Sequence, residues 1–249
     1  MKKLVYLFVV LGLLISCKKE TKEYITDGIV SIGKPIGKIG SGVIDIDGNK
    51  YRTVIIGNQE WMGENLKVTK YNDGTTIPNV KDNTLSVWKY DTVGAWSYYN
   101  NDSTLNTKYG KLYNWFTTNK IANGYKNICP VGWHIPTYSE LTILTDNLGG
   151  EKVAGGKMKE VGTINWSSPN TDATNSSLFS AFPGGIGFNY LDIQKNNFEF
   201  KYINKVGYWV TNFNDSINAF YFLGNGFNHV GLQFGDDKSV IVSIRCLKN

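Results

Sequence analysis

Hydrophobic residues first occur as one continuous run, at residues 4–15, directly after the basic start Met1-Lys2-Lys3. As a helix, this run would extend roughly 18 Å at about 1.5 Å per residue, whereas the hydrocarbon core of a bilayer is roughly 30 Å thick. The run is therefore too short for a stable membrane span. A basic start followed by a short apolar stretch is typical of a signal peptide.

The apolar run ends in Leu14-Ile15-Ser16-Cys17, which resembles a bacterial lipobox. We therefore predict that residues 1–16 are a lipoprotein signal peptide and that Cys17 carries lipid as the first residue of the mature chain. Each buried CH₂ contributes about 0.8 kcal/mol, so two or three acyl chains would hold the protein firmly on a membrane. The alternative is a simple signal peptide followed by a chance cysteine.

The expected location follows from the anchor. Lys18 occupies the place after Cys17 where an Asp favours inner-membrane retention in many two-membraned bacteria, so we expect a lipid anchor in the cell outer membrane. Whether the chain faces the periplasm or the cell surface stays open.

Residues 17–42 are rich in glycine and are predicted to form a flexible tether, with room for one short strand.

The folded domain is predicted to span residues 43–249. Hydrophobic residues at 43–46 and 51–56 flank Asp47-Gly48-Asn49, a β-hairpin pattern. Asp45, Asp47 and Asn49 also match the start of a calcium loop, but Ile56 occupies the position where such a loop requires a bidentate Glu. The hairpin interpretation is therefore favoured and no metal site is predicted, although a structural Ca²⁺ held by other loops stays open.

The periodicity then changes from helical to strand-like along the domain. Thr137-Tyr138-Ser139-Glu140 is a capping-box pattern, and leucines follow it on one face as far as Gly149. Further short helices are predicted at 112–122 and 152–161. Alternating segments favour strands at 198–203, 207–211, 219–223, 230–234 and 239–246. Early helices and late strands indicate an α+β fold, with short helices packed on a twisted antiparallel sheet and long loops.

Charge and cysteine content narrow the class of protein. The formal net charge is +5, and no basic cluster is present, so nucleic acid is not expected as a partner. If lipid occupies Cys17, then Cys129 and Cys246 remain, and two thiols outside the cytoplasm are expected to form a disulfide. A bridge that closes so long a loop stabilises by at most about 4–5 kcal/mol. The alternative is two free buried thiols.

Several spaced motifs resemble those of the Fibrobacter succinogenes major paralogous domain. They lie at residues 60–66 (EWMGENL), 109–115 (YGKLYNW), 129–137 (CPVGWHIPT), 179–185 (FSAFPGG), 207–209 (GYW) and 245–246 (RC). The resemblance covers residues 43–249. It implies a compact C-type-lectin-like domain, related to the formylglycine-generating-enzyme superfold, on an exported protein or lipoprotein. The biochemical role of the family is largely undefined, and a fold does not supply one.

The residue types needed for catalysis are scarce. No cysteine is left for the chemistry of formylglycine-generating enzymes, and His134 and His229 lie too far apart in sequence for metal-ligand spacing. Of the two sequence motifs that bind calcium in lectins, the first is absent, and Phe213-Asn214-Asp215 resembles the second only loosely. Glu60 and Glu64 could share one helix face at i, i+4 spacing and so form a carboxylate pair, but a structural role is favoured for them. We therefore predict no catalytic residue, no metal ligand and no cofactor.

Aromatic residues are the remaining signal, since they form 14% of the chain. Trp88, Trp96, Tyr98 and Tyr99 crowd into a loop-rich stretch, where exposed rings would stack on sugars or contact proteins. Filling of the core is the competing and more common role of such aromatic side chains.

The sequence favours a lipid-anchored binding module of the cell envelope, with a glycan or a partner protein as its ligand. A structural component of a surface assembly and a carboxylate-dependent glycoside hydrolase are the alternatives.

Overall fold

The computed structural model describes residues 22–81, 88, 92–189, 198–214 and 217–249. The predicted signal peptide and Cys17 lie outside the described residues. The observed class is α+β, dominated by sheets with few short helices, as the sequence predicted. None of the helices in the described ranges is both long and apolar enough to cross a membrane.

Residues 22–42 differ from the flexible tether that their glycine content predicted. They contain the hairpin β1 (Glu23–Thr26) and β2 (Ile29–Ile32), followed by β3 (Lys38–Ile39). The amide of Ile32 donates to the carbonyl of Thr174 at 2.7 Å, and the amide of Ile36 donates to the carbonyl of Ser176 at 2.6 Å. A Cβ at Gly37 would collide with the backbone carbonyl of Ser177. This glycine therefore permits close packing on the domain.

The predicted hairpin around Asp47-Gly48 is confirmed, with shorter strands. β4 (Val43–Ile44) pairs antiparallel with β5 (Lys50–Tyr51). The Asp45 carboxylate accepts the amides of Asp47 and Asn49 at 3.0 and 2.9 Å, and the Tyr51 hydroxyl at 2.6 Å. These bonds fix the turn and use the oxygens that a calcium ion would need.

Five strands form the smaller of the two main sheets, and all pairs within it are antiparallel. Its order is β10-β17-β7-β6-β3. The new strands are β6 (Thr53–Ile56), β7 (Gln59–Met62), β10 (Trp133–His134) and β17 (Leu247–Lys248). The C-terminal strand thus lies between two strands from much earlier in the chain.

Eight strands form the larger sheet. They are β8 (Trp96–Ser97), β9 (Leu112–Asn114), β11 (Gly184–Asn189), β12 (Phe198–Ile203), β13 (Val206–Val210), β14 (Asn218–Gly224), β15 (Gly231–Gly235) and β16 (Ile241–Val242). The order is β15-β14-β13-β11-β16-β9-β8, with β12 also paired to β11. All pairs are antiparallel except β11 with β13, which meet in parallel at Gly185 and Gly207.

The α-helices of the described residues are α1 (Asn106–Tyr109), α2 (Trp115–Thr118), α3 (Tyr138–Asn147) and α4 (Glu151–Met158). The capping box predicted at Thr137 and Glu140 is present at the start of α3, with both of its hydrogen bonds. The helix predicted at 112–122 is wrong in length because residues 112–114 pair as β9. Two turns of 3₁₀-helix at Tyr99–Asn101 and Ser103–Leu105 precede α1.

The predicted disulfide joins Cys129 to Cys246, whose Cα atoms lie 5.9 Å apart and whose side chains are fully buried. It connects the segment before β10 to the segment before β17. The bridge therefore ties the chain end to the strand beside which it lies.

Candidate functional site

Trp88 and Trp96, predicted as candidate ligand-binding aromatics, are instead buried. Their side chains are only 1% and 7% exposed. Trp88 stacks on Phe198 with ring centroids 5.0 Å apart, and the indole nitrogen of Trp96 donates to the carbonyl of Ile77 at 3.0 Å. These rings fill the core, which is the role that the sequence analysis held to be more common than a stacking surface, so neither is available to a ligand.

Tyr98 and Tyr99 are half-buried against the same part of the core. Tyr98 contacts the edge of Trp96 at 5.1 Å, and Tyr99 lies against Phe200 at 5.3 Å. The ammonium of Lys111 lies 4.8 Å from the ring of Trp96 and 5.3 Å from that of Tyr98. Burial lowers the pKa of Lys111 to about 8. This stretch is therefore a packed cation–aromatic cluster.

The family-like motifs converge on a buried polar network. The Asn65 side-chain oxygen accepts the indole N–H of Trp209 at 2.8 Å and the Nε–H of Arg245 at 2.9 Å. Arg245 also donates to the carbonyls of Phe179 and Ser180, at 2.5 and 3.0 Å, and its guanidinium lies 4.4 Å from the Phe179 ring centroid. Burial lowers the pKa of Arg245 to about 9. These motif residues join distant segments and thereby hold the fold together.

Glu60 and Glu64, the carboxylate pair singled out by helical spacing, lie on or after a strand. Glu60 accepts from Thr53 and Lys248, both at 2.7 Å. Burial raises its pKa, but these hydrogen bonds and the Lys248 charge outweigh burial and lower the pKa to about 2. Glu64 accepts the amide of Arg52 at 3.3 Å. Glu60 is therefore fixed as a carboxylate by its partners.

The two histidines are separate, as their spacing indicated. Nε2 of His134 lies 3.0 Å from Oε1 of Glu140, and Nδ1 lies 2.7 Å from Oδ1 of Asn249. His229 instead stacks on Phe227 with ring centroids 4.2 Å apart. Across the described parts of the chain, no group of three or more His, Cys, Asp or Glu side chains is placed to hold a metal ion.

A cleft of about 430 Å³ lies between the loop that follows α2 and the segment that begins with β10. Trp133, Ile128 and Ile135 form its buried apolar floor. The remaining lining residues are mostly hydroxyl, amide and basic: Thr117, Thr118, Lys120, Tyr125, Lys126, Asn127, His134, Thr137, Asn212 and Asn249. An apolar floor with a polar rim is the usual form of a small-molecule or sugar site.

A second cleft of about 480 Å³ adjoins the first. The two share Lys120, Thr137 and Asn212, and we call them together the groove. The second cleft adds Asn119, Tyr138, Ser139, Phe213 and Asn214. Neither cleft is lined by an Asp or Glu side chain in the part of the chain that the structure describes.

Asparagine side chains fix one wall of the groove. The amide of Asn123 donates to the carbonyls of Thr117 and Lys126 at 2.9 and 3.0 Å, and its oxygen accepts the Lys126 amide at 2.9 Å. Asn127 donates to the carbonyl of Trp133 at 2.7 Å. The loop of 117–127 is thus tied to itself and to β10, which gives the groove a defined shape before any ligand binds.

The opposite wall is a backbone connection. The amide of Asn212 donates to the carbonyl of Pro136 at 2.8 Å, and the amide of Tyr138 donates to the carbonyl of Asn212 at 2.9 Å. The start of α3 is therefore fixed against the segment that follows β13. Sequence reasoning missed this site because its walls are far apart in the chain.

Three partly exposed aromatic side chains lie together at the second cleft, of which Tyr138 and Phe213 line it and Phe234 packs against Phe213. Tyr138, Phe213 and Phe234 are 36%, 49% and 47% exposed. The rings of Tyr138 and Phe213 lie 5.9 Å apart, and those of Phe213 and Phe234 lie 5.0 Å apart. We call these three residues the aromatic shelf. An exposed aromatic surface thus exists, in a different part of the chain from the candidate aromatics Trp88, Trp96, Tyr98 and Tyr99.

The chain matches a protein-family model. No curated protein and no solved structure is significantly similar to the chain. The Fibrobacter succinogenes major domain model matches residues 54–248, which begins slightly later than the predicted start at residue 43. These residues include β7 to β17, the disulfide and all of the lining of both clefts except Asn249. The chain therefore belongs to the Fibrobacter succinogenes major domain family.

Proposed function

We propose that this protein is a lipid-anchored binding module of the cell envelope and that its groove takes a glycan. The observation that carries the proposal is the groove itself, in which hydroxyl, amide and basic side chains surround an apolar floor. Sugars present both hydroxyl groups and C–H faces, so a lining that mixes polar and aromatic side chains complements them. Hydrogen bonds fix both walls of the groove before a ligand binds, so less conformational entropy is lost on binding.

The anchor and compartment belong to the same proposal. Cys17 would hold the module on the outer membrane, and the disulfide supports a location outside the reducing cytoplasm. Short helices beside sheets with long connections support a C-type-lectin-like domain, which the family resemblance implies. We propose this superfold for residues 43–249.

A role in binding without catalysis is favoured over glycoside hydrolysis. Hydrolysis uses two carboxyl groups on opposite sides of the scissile bond, one of them with a raised pKa. Glu60 has a lowered pKa, its carboxylate accepts four hydrogen bonds from Ser41, Thr53 and Lys248, and it does not line the groove. The groove instead offers donors and aromatic faces, which serve recognition.

Binding to a glycan array tests the proposal, with the full chain purified in detergent. Asn212→Ala removes an amide that lines both clefts but leaves the backbone bonds of the wall, and Tyr125→Ala removes a ring that is 78% exposed. We expect each to weaken retention of the bound glycans about tenfold, which corresponds to about 1.4 kcal/mol. Ile164→Ala, at a side chain 94% exposed outside the groove, is the control and should bind normally.

Two results would contradict the glycan proposal. One is an array on which the full chain retains nothing, and the other is retention that neither groove variant changes.

A protein partner is the second candidate, because Ile44, Ile46 and Val131 are 59%, 44% and 82% exposed around a separate cleft of about 280 Å³. Exposed aliphatic groups at one place mark contact surfaces. If the protein binds a partner protein and no glycan, Ile44→Asp should abolish binding of that partner.

A further inference from the structure

We propose that the aromatic shelf is a second sugar-binding subsite and that the groove takes a single, extended, β-linked glycan chain, not the face of a crystalline polysaccharide. This inference rests on the proposed glycan function and specifies its ligand class.

The shelf continues the groove. Tyr138 and Phe213 line the second cleft, and this cleft shares Lys120, Thr137 and Asn212 with the first. A ligand that fills the first cleft therefore meets the shelf as it extends. Two adjoining clefts of about 430 and 480 Å³ suit a chain of several sugar rings better than a monosaccharide.

The shelf also has the right surface for stacking. Between a third and a half of each residue is exposed, and the ring of Phe213 packs against those of Tyr138 and Phe234, so each ring is held in place by a neighbour. Pyranose rings with equatorial substituents turn their C–H bonds toward the two ring faces, and aromatic faces attract such bonds. β-linked chains present these faces along their length.

The inclination of the rings decides between a free chain and a crystal surface. The plane of Phe213 is inclined by 67° to Tyr138 and by 68° to Phe234. The three rings therefore cannot lie flat on one plane, which docking on a crystalline polysaccharide face would require. A single chain can rotate about its glycosidic bonds and offer each ring a differently oriented sugar face.

Polar neighbours identify the occupant as a glycan more than as an apolar protein segment. Lys120, Thr137 and Ser139 line the second cleft beside the aromatic rings and are exposed to solvent. An apolar partner would have to desolvate this ammonium group and these hydroxyl groups without supplying hydrogen-bond partners, and that costs free energy. Sugar hydroxyl groups supply both donors and acceptors at the same places.

Titration calorimetry on the full chain in detergent tests the inference with two probe series. These are cellobiose against cellohexaose, and chitobiose against chitohexaose. We expect one hexamer to bind at least about tenfold more tightly than its disaccharide. Phe213→Ala and Phe234→Ala should each remove this gain and leave disaccharide binding within about twofold. Tyr202→Ala, at a ring 45% exposed outside the groove, is the matched control and should keep the gain.

Sedimentation with crystalline cellulose and crystalline chitin completes the test, and we expect no retention on either. Retention that Phe213→Ala abolishes would overturn the single-chain inference, and so would hexamers that bind no better than disaccharides. Because Phe213 and Phe234 lie on different segments, misfolding of one variant leaves the other to decide. A third result would refute the shelf as a sugar subsite but still support glycan binding in the groove. In that result, Asn212→Ala weakens binding on the array, whereas Phe213→Ala and Phe234→Ala bind the hexamers as wild type does.

Discussion

At the scale of single residues, the side chains that the sequence made most conspicuous hold the fold together. Asn65, Trp209 and Arg245 meet in the core, although they are separated by as many as 180 residues. Arg245 has no exposed surface, and carbonyl and amide oxygens accept its N–H groups. A charge is tolerated there because each such hydrogen bond is stronger than a neutral one.

Replacing Arg245 tests this structural role. Arg245→Met leaves the carbonyls of Phe179 and Ser180 without their donor, so we expect a loss of about 3 kcal/mol or more in the free energy of unfolding. Arg245→Lys should restore little, because an ammonium lacks the planar fork of donors. Denaturant unfolding measures both, with exposed Lys34→Met as the control. An Arg245→Met protein as stable as the control would contradict the structural role of the network.

At the scale of elements, the N-terminal glycines show that composition alone does not define a tether. Gly37 is buried, and the strands before and after it bond to the domain. Gly28, by contrast, provides the positive φ of 74° that the β1–β2 turn needs. Glycine thus serves close packing at one position and turn geometry at another.

A substitution at Gly37 distinguishes a packed segment from a flexible one. Gly37→Ala places a methyl group against the Ser177 carbonyl, so we expect a loss of about 1–3 kcal/mol and faster hydrogen exchange in β1 to β3. Gly226→Ala is the matched control, because a Cβ there meets nothing within 4 Å. Equal exchange rates in the two variants would restore the flexible-tether interpretation.

At the scale of the whole molecule, one covalent bridge joins the middle of the domain to its end. Cys129 and Cys246 are 117 residues apart, and β17 is enclosed between β10 and β7. Closing so long a loop removes much conformational freedom from the unfolded chain. The bridge and the enclosed strand therefore act together to fix the C-terminus beside the first cleft, where Asn249 is part of the lining.

Removal of the bridge tests this arrangement. The double variant Cys129→Ala/Cys246→Ala should lose about 2–5 kcal/mol of unfolding free energy, measured in denaturant. Cys17→Ser is the control, since it removes the predicted lipid site and should leave stability unchanged. Mass spectrometry of the same samples reports whether fatty acyl mass depends on Cys17. A double variant with unchanged stability would show that packing alone holds the chain end.

Much of the fold was predictable from local signals. The capping box at Thr137 and the hairpin at Asp47-Gly48 are short-range patterns, so both were found. The helix predicted at 112–122 is shorter in the structure, Trp115–Thr118, because Tyr113 and Asn114 pair with β16, a partner that comes more than a hundred residues later. Whether Trp88 faces solvent or fills the core likewise depends on a distant partner, since its ring stacks on Phe198.

By itself, the sequence determined the α+β class, the family, the cysteine pair and the expectation of an anchor at Cys17, because these depend on composition, spacing and local pattern. Only the tertiary structure decided where a ligand would bind. The groove and the aromatic shelf bring together Lys120, Tyr138, Phe213 and Phe234 from a loop, a helix start, a second loop and a strand. Pairing between distant strands sets that proximity and the exposure of each ring, and neither is recorded in the local order of residues.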